Sequence, residues 1–387
     1  MAKEPTAKLW WVLGAVCVAV AAILPFVWLH TGADLKVYRL GGSALLDDPS
    51  TIYTARLVHI SMPFTYPIFG ALVMVPAALL PWPVSYGAAI ALSLVALFVI
   101  WKLCIGRTHI ALLTAVVAAS MLLDPVRETI SYGQINLILC AIVLYDVLRV
   151  GKSRRGILIG LAAGIKLTPL VFFGLLLVTR QWRALFNATA AFVATVAFGF
   201  LLAPRTALQY WTEILLDSGR IGALAYSGNQ SWNGFLVRFT NNQDGGGPYW
   251  LILVALTVAA GLWACRLLWI RGEHLGAVAV CGLISLFCSP VSWSHHWVWI
   301  IPLGVALARQ FQGRTMYAVA ATWFALFALA PIWWPPRGGD QELQWSLLAH
   351  LAGDSYLWLS ITAVATLLLT TRIPHHSREP VVLIPRS

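Results

Sequence analysis

Ten stretches of this chain run for a dozen residues or more with hardly a charge: 9–29, 84–101, 110–123, 135–148, 185–202, 250–265, 275–288, 297–308, 316–333 and 356–370. A helix crossing the hydrocarbon of a bilayer needs about 20 such residues, because no water is there to satisfy its peptide groups. The pattern therefore predicts an all-α fold, a polytopic transmembrane helical bundle. Composition agrees, since 59% of residues are hydrophobic and only 11% charged, more apolar surface than a water-soluble core absorbs. The first run follows Lys3 and Lys8 and lacks a small-residue cleavage site after it, so it is expected to stay in place as an anchor. The net charge of +11 is spread singly or in small clusters at the ends of the apolar runs, which is a topology signal and not a nucleic-acid surface. All six cysteines lie in or beside apolar segments with no Cys-x-x-Cys spacing, and read as small membrane residues.

Loop charge decides two further stretches, because cytoplasmic loops are enriched in Lys and Arg. Residues 67–80 are short and flanked by prolines; a full crossing there would move Lys102 and Arg107 to the outer side, so an interfacial or re-entrant helix is expected. Residues 157–178 lie between Arg149, Lys152, Arg154 and Arg155 on one flank and Arg180 and Arg183 on the other. Both flanks belong on one side, so this stretch is expected to form a hairpin of two short helices with Lys166 exposed at its tip. About twelve passes result, two of them short, with residues 1–371 as one transmembrane domain and 372–387 as a cytoplasmic tail. Both termini then face the cytoplasm, and the long polar segments 30–66, 204–248 and 335–354 share the outer face. Chemistry is expected there.

Asp34 stands a few residues beyond the first apolar run, at a depth where partial desolvation raises a carboxyl pKa toward that of a useful base; a helix cap is the other role open to it. Tyr66, between prolines, belongs either to an entrance for a lipid chain or to the aromatic belt. Gln134 and Asn136 place two amides at the start of a helix, suited to sugar hydroxyls or to backbone groups. Lys166 is an ammonium within an apolar segment; it faces an anion such as a phosphate, or it snorkels to the interface. Asn229, Gln230 and Trp232 have the composition of a sugar-contacting loop, and of polar loops in general. His295 and His296, flanked by Trp293 and Trp297, could orient a base, contact a phosphate or bind a metal, although no third ligand stands nearby in sequence. No Asp-x-Asp metal motif is present near Asp47 and Asp48, which disfavours a metal-dependent nucleotide-sugar enzyme.

Residues 34–38, 63–67, 132–136, 164–169, 229–232 and 289–297, in this order, resemble the polyprenol-phosphate-mannose-dependent mannosyltransferases of glycosyltransferase family 87, which share the GT-C fold. Within it the chain is most similar to members that add an α-1,2-linked mannose to a phosphatidylinositol mannoside; Lys36 and Ile68 depart from the family pattern. The resemblance implies Asp34 as catalytic base, His295 or His296 as a residue needed for activity, polyprenyl-phosphate mannose as donor and a glycolipid as acceptor, with no metal or other cofactor. It also implies a bacterial plasma membrane with the site on the periplasmic face. Residue reading and resemblance meet in an inverting displacement, with Lys166 or a protonated His295 stabilising the departing phosphate. The competing readings are a related transferase acting on lipomannan or lipoarabinomannan, and a lipid transporter, for which matched broken helices and midplane acids would be the sign.

Overall fold

The computed structural model describes residues 32–57, 62–217, 220, 222–243 and 245–371. The anchor expected at 9–29 and the tail at 372–387, and with them the placing of both termini, lie outside the described residues. In chain order the helices are α1 (Ala33–Asp47), α2 (Ile68–Leu79), α3 (Trp82–Ile105), α4 (Ile110–Ala119), α5 (Asp124–Tyr132), α6 (Asn136–Arg149), α7 (Ile157–Ile165), α8 (Val171–Val178) and α9 (Trp182–Leu202). They continue as α10 (Pro204–Thr212), α11 (Trp232–Thr240), α12 (Gly247–Ile270), α13 (His274–Cys288), α14 (Ile300–Ala308), α15 (Gly313–Leu329), α16 (Leu347–Gly353) and α17 (Ser355–Thr370). A six-residue 3-10 turn, Ser294–Trp299, joins α13 to α14.

Four helical spans are long and apolar enough to cross a membrane: α3, α9, α12 and Gly313–Trp333. Two bent pairs raise the number to six if each is one span, Ile110–Leu122 with Asp124–Tyr132 (81°) and Leu347–Gly353 with Ser355–Thr370 (70°). The expected count of about twelve passes is not supported. The physical reason is visible in α13, whose 15 residues reach only about 22 Å. Twelve of them are buried, against α8, α12, α14 and α17. An apolar run enclosed by other helices carries the same sequence signature as one that faces lipid. The spans α3, α9 and α12 instead leave large apolar side chains exposed, among them Val95, Leu201 and Leu256. Residues 68–79, expected to stop short of a crossing, form a helix of 12 residues with Pro76 inside it, about 18 Å long.

The stretch from 157 to 178 breaks in two at Lys166, as expected from Pro169. Helix α7 lies along α9, and α8 packs on α9, α12 and α13. Asp146, fully buried on α6, sets the start of α7 by accepting from the backbone N–H of Gly156 (2.7 Å) and of Ile159 (3.0 Å). Along the α7–α9 seam, a Cβ on Gly160 would meet the Ala188 carbonyl oxygen at 2.2 Å, and one on Gly164 would meet Thr195 Oγ1 at the same distance. Neither the Ala188 backbone at Gly160 nor the Thr195 side chain at Gly164 leaves room for a Cβ, and this close approach fixes where the chain emerges at Lys166. Gly160→Val is therefore expected to part α7 from α9, lowering the melting temperature in detergent by several degrees. Unchanged melting would show that the seam tolerates a side chain.

Candidate active site

Helix α1 begins beyond Gly32, which adopts a left-handed φ of 64°, so Asp34 stands in the first turn with Tyr38 one turn further on the same face. Val37 completes the strip of α1 that lines a cavity of about 460 Å³. Tyr66, Gln134, Lys166 and His296 bring further polar groups to this cavity, while Val171, Ile214, Val258 and Ile284 give it an apolar wall. Asp34 and the 3-10 turn lie outside the spans named above.

The 3-10 turn packs on α5 and α6, and its backbone is tied down at one point. The carbonyl of His295 accepts from Thr129 Oγ1 at 2.6 Å and from Asn136 Nδ2 at 3.0 Å. The His295 ring is held between Tyr132 (centroids 5.0 Å apart) and the perpendicular ring of His296 (4.7 Å). This points His295 Nε2 toward Asp34 Oδ2, 3.9 Å away. That gap is too long for a hydrogen bond, and Nε2 is buried without any partner.

Electrostatics separate the roles. Burial pushes Asp34 from an ordinary value of 3.8 up to about 6, with the Lys166 charge working in the opposite direction. Burial pushes His295 down to about 3, and the nearby Lys166 cation adds to the effect; His296 is lowered for the same reasons. Both shifts favour neutral imidazoles at pH 7, whereas a protonated His295 beside a phosphate was expected. Lys166 is also not exposed at a tip: it is 7% exposed, donates to Asn136 Oδ1 at 2.9 Å and lies 5.4 Å from the centroid of the Tyr66 ring.

Of the residues singled out in sequence, Asp34, His296, Lys166, Tyr66 and Gln134 line the cavity, and His295 adjoins it through Asp34. Gln134 is engaged from within, since Tyr38 donates its hydroxyl hydrogen to Gln134 Oε1 and also meets the Tyr66 hydroxyl at 3.1 Å. Asn136 does not line this cavity but a smaller one of about 30 Å³ that shares Lys166 and His296 with it. Asn229, Gln230 and Trp232, expected to contact sugar, are likewise absent from its lining. Asn229 Oδ1 accepts from the backbone N–H of Ser292 (2.9 Å), the Gln230 backbone N–H donates to the Ser292 carbonyl (2.8 Å), and Trp232 Nε1 donates to Thr257 Oγ1 (2.8 Å). Asn229 and Gln230 thus hold the segment leading into the histidine turn, and Trp232 ties α11 to α12, which polar composition alone could not distinguish.

Two buried clusters escaped the sequence reading. Arg238 Nε donates to Asp354 at 3.1 Å, and His350 Nδ1 lies 2.7 Å from the same carboxylate. Asp124 accepts from Trp333 Nε1, Arg127 and Tyr356, each at 2.9 Å. Arg238, Trp333 and Tyr356 lie 116, 209 and 232 residues from the carboxylates they meet, and only the local spacings Asp124–Arg127 and His350–Asp354 were visible beforehand.

The helices long enough to cross a membrane, together with a cavity lined by polar and apolar groups, define a multi-pass membrane protein. The chain belongs to glycosyltransferase family 87, whose model matches residues 64–290. It is 36% identical, over 82% of its own length and 82% of the relative's, to a polyprenol-phosphate-mannose-dependent alpha-(1-2)-phosphatidylinositol pentamannoside mannosyltransferase of Mycolicibacterium smegmatis. It is 32% identical, over 94% of its length and 91% of the relative's, to a polyprenol-phosphate-mannose-dependent alpha-(1-2)-phosphatidylinositol mannoside mannosyltransferase of Mycobacterium tuberculosis. No solved structure matches the chain.

The raised Asp34 value has a stability consequence. The folded state binds this proton more tightly than the unfolded chain, so the contribution is fully present below about pH 4 and is lost as pH rises through about 6. Asp34→Asn should therefore melt no lower than the parent at pH 7.5, and the difference should close only below about pH 4. An Asn variant less stable at neutral pH would contradict a desolvated carboxylate.

Proposed function

We propose that this chain transfers mannose from polyprenyl-phosphate mannose to a hydroxyl of a phosphatidylinositol mannoside, forming an α-1,2 linkage with inversion at the anomeric carbon. The observation that carries the reading is the approach of Asp34 Oδ2 to the unpartnered Nε2 of His295, 3.9 Å apart, beside a cavity that also holds Lys166. Family membership and the two relatives' names supply the reaction class.

Asp34 takes the proton of the acceptor hydroxyl as that oxygen bonds to the anomeric carbon. The bond from that carbon to the phosphate oxygen breaks, and its electron pair leaves with the phosphate. Neutral His295 hydrogen-bonds the same hydroxyl and aims it, while the Lys166 ammonium stabilises the leaving anion, so no general acid is required. The apolar wall from Val171 to Ile284 receives the first isoprene units. Among the described residues no group of three His, Cys, Asp or Glu side chains is arranged to hold a metal. The reaction we propose is metal-independent and takes place on the periplasmic face of a bacterial plasma membrane, in a bundle of the GT-C type with both termini cytoplasmic.

Asp34→Asn should fold and lose about 10²- to 10⁴-fold in kcat, the usual share of a general base. In the parent, kcat/KM should fall as pH drops through about 6, where Asp34 takes up its proton. Purified protein in nanodiscs, given polyprenyl-phosphate mannose and a series of phosphatidylinositol mannosides, tests both by product mass and linkage. Parental turnover by Asp34→Asn would exclude the proposed base, and extension of lipomannan alone would exclude the proposed acceptor.

A further inference from the structure

We infer that Asn136 is a positioning residue that locks Lys166 and the histidine turn into one arrangement while leaving the ammonium charge available to a lipid phosphate. This rests on the leaving-group role proposed above for Lys166.

Asn136 opens α6 and is 8% exposed. Its Oδ1 accepts from Lys166 Nζ at 2.9 Å, and its Nδ2 donates to the carbonyl of His295 at 3.0 Å. An ammonium can only donate and a carbonyl can only accept, so the side chain between them must offer one oxygen and one N–H. Among side chains of this length only a carboxamide does so, and its orientation is dictated by its two partners. With Thr129 Oγ1 at 2.6 Å, the His295 carbonyl has two donors, which fixes the backbone beneath the imidazole from two helices at once.

The neutrality of the partner matters as much as its shape. Among the described residues, no carboxylate lies within 4.0 Å of Lys166 Nζ. Asn136 occupies one of the three ammonium donors without adding a charge of its own, so Lys166 is in no direct ion pair and keeps two donors for a ligand. A carboxylate in its place would pair with Lys166 and present nothing to the His295 carbonyl. The residue therefore acts through Lys166 and His295.

The test is binding of polyprenyl phosphate, which requires no transfer, to the full-length protein in nanodiscs, with mannosyl transfer measured alongside. Asn136→Asp, which matches the parent side chain in size, should bind polyprenyl phosphate about tenfold more weakly or worse. Asn136→Ala should weaken binding severalfold in the parent but add less than about twofold in a Lys166→Ala background, because its effect runs through the ammonium. Parental affinity in Asn136→Asp, or equal losses from Asn136→Ala in both backgrounds, would overturn the inference. So would parental affinity in Lys166→Ala. Loss of transfer in Asp34→Asn is read separately and decides the proposed reaction whichever way the binding data fall.

Discussion

An ammonium and a carboxylate share one largely desolvated cavity without closing on each other. Lys166 is bonded to a neutral amide, Asp34 faces a neutral imidazole, and the two charges influence each other only through space. Had they formed a direct ion pair, each would have cancelled the other, leaving neither a base nor an anion-binding group. Keeping them apart is costly in a medium that disfavours isolated charge, so the surrounding structure has to enforce the separation. Much of the fold around the cavity can be understood as that enforcement.

The separation comes from backbone placement. The α7–α9 seam, closed to side chains at Gly160 and Gly164, delivers Lys166 at the break between α7 and α8. Helix α1 rests on α2 and presents Asp34 from its first turn. The histidine turn is held from behind by Asn229 and Gln230 and from the side by Thr129 and Asn136. Farther back, Asp354 joins Arg238 to His350, and Arg238 donates to the Asn229 carbonyl at 3.0 Å, extending the support to α17's edge of the bundle. Each layer is polar, buried and mutually bonded, which suits a site that must hold its geometry next to mobile lipid.

What was legible in the sequence followed from local pattern. The apolar runs named the helices, Pro169 marked the break at Lys166, and an acid just beyond an apolar run marked Asp34. The number of crossings was not legible, because α13 is as apolar as a lipid-facing helix and is enclosed by protein. Nor was the burial of Asn229, Gln230 and Trp232, whose bonds reach residues 25 to 63 positions away or more. That Asp34 and His295 adjoin was suggested only by family resemblance; 261 residues separate them, and no local period connects positions so distant. The bridge made by Asn136 is of the same kind, joining positions 30 and 159 residues away.

The central claim is one of geometry: the base and the leaving group's cation approach a bound sugar from opposite sides. A structure of the protein with polyprenyl-phosphate mannose bound measures this directly. The account predicts the phosphate oxygens about 3 Å from Lys166 Nζ and Asp34 across the anomeric carbon from the phosphate. A donor whose phosphate lies away from Lys166, or whose anomeric carbon shows Asp34 the same face as the phosphate, would contradict it.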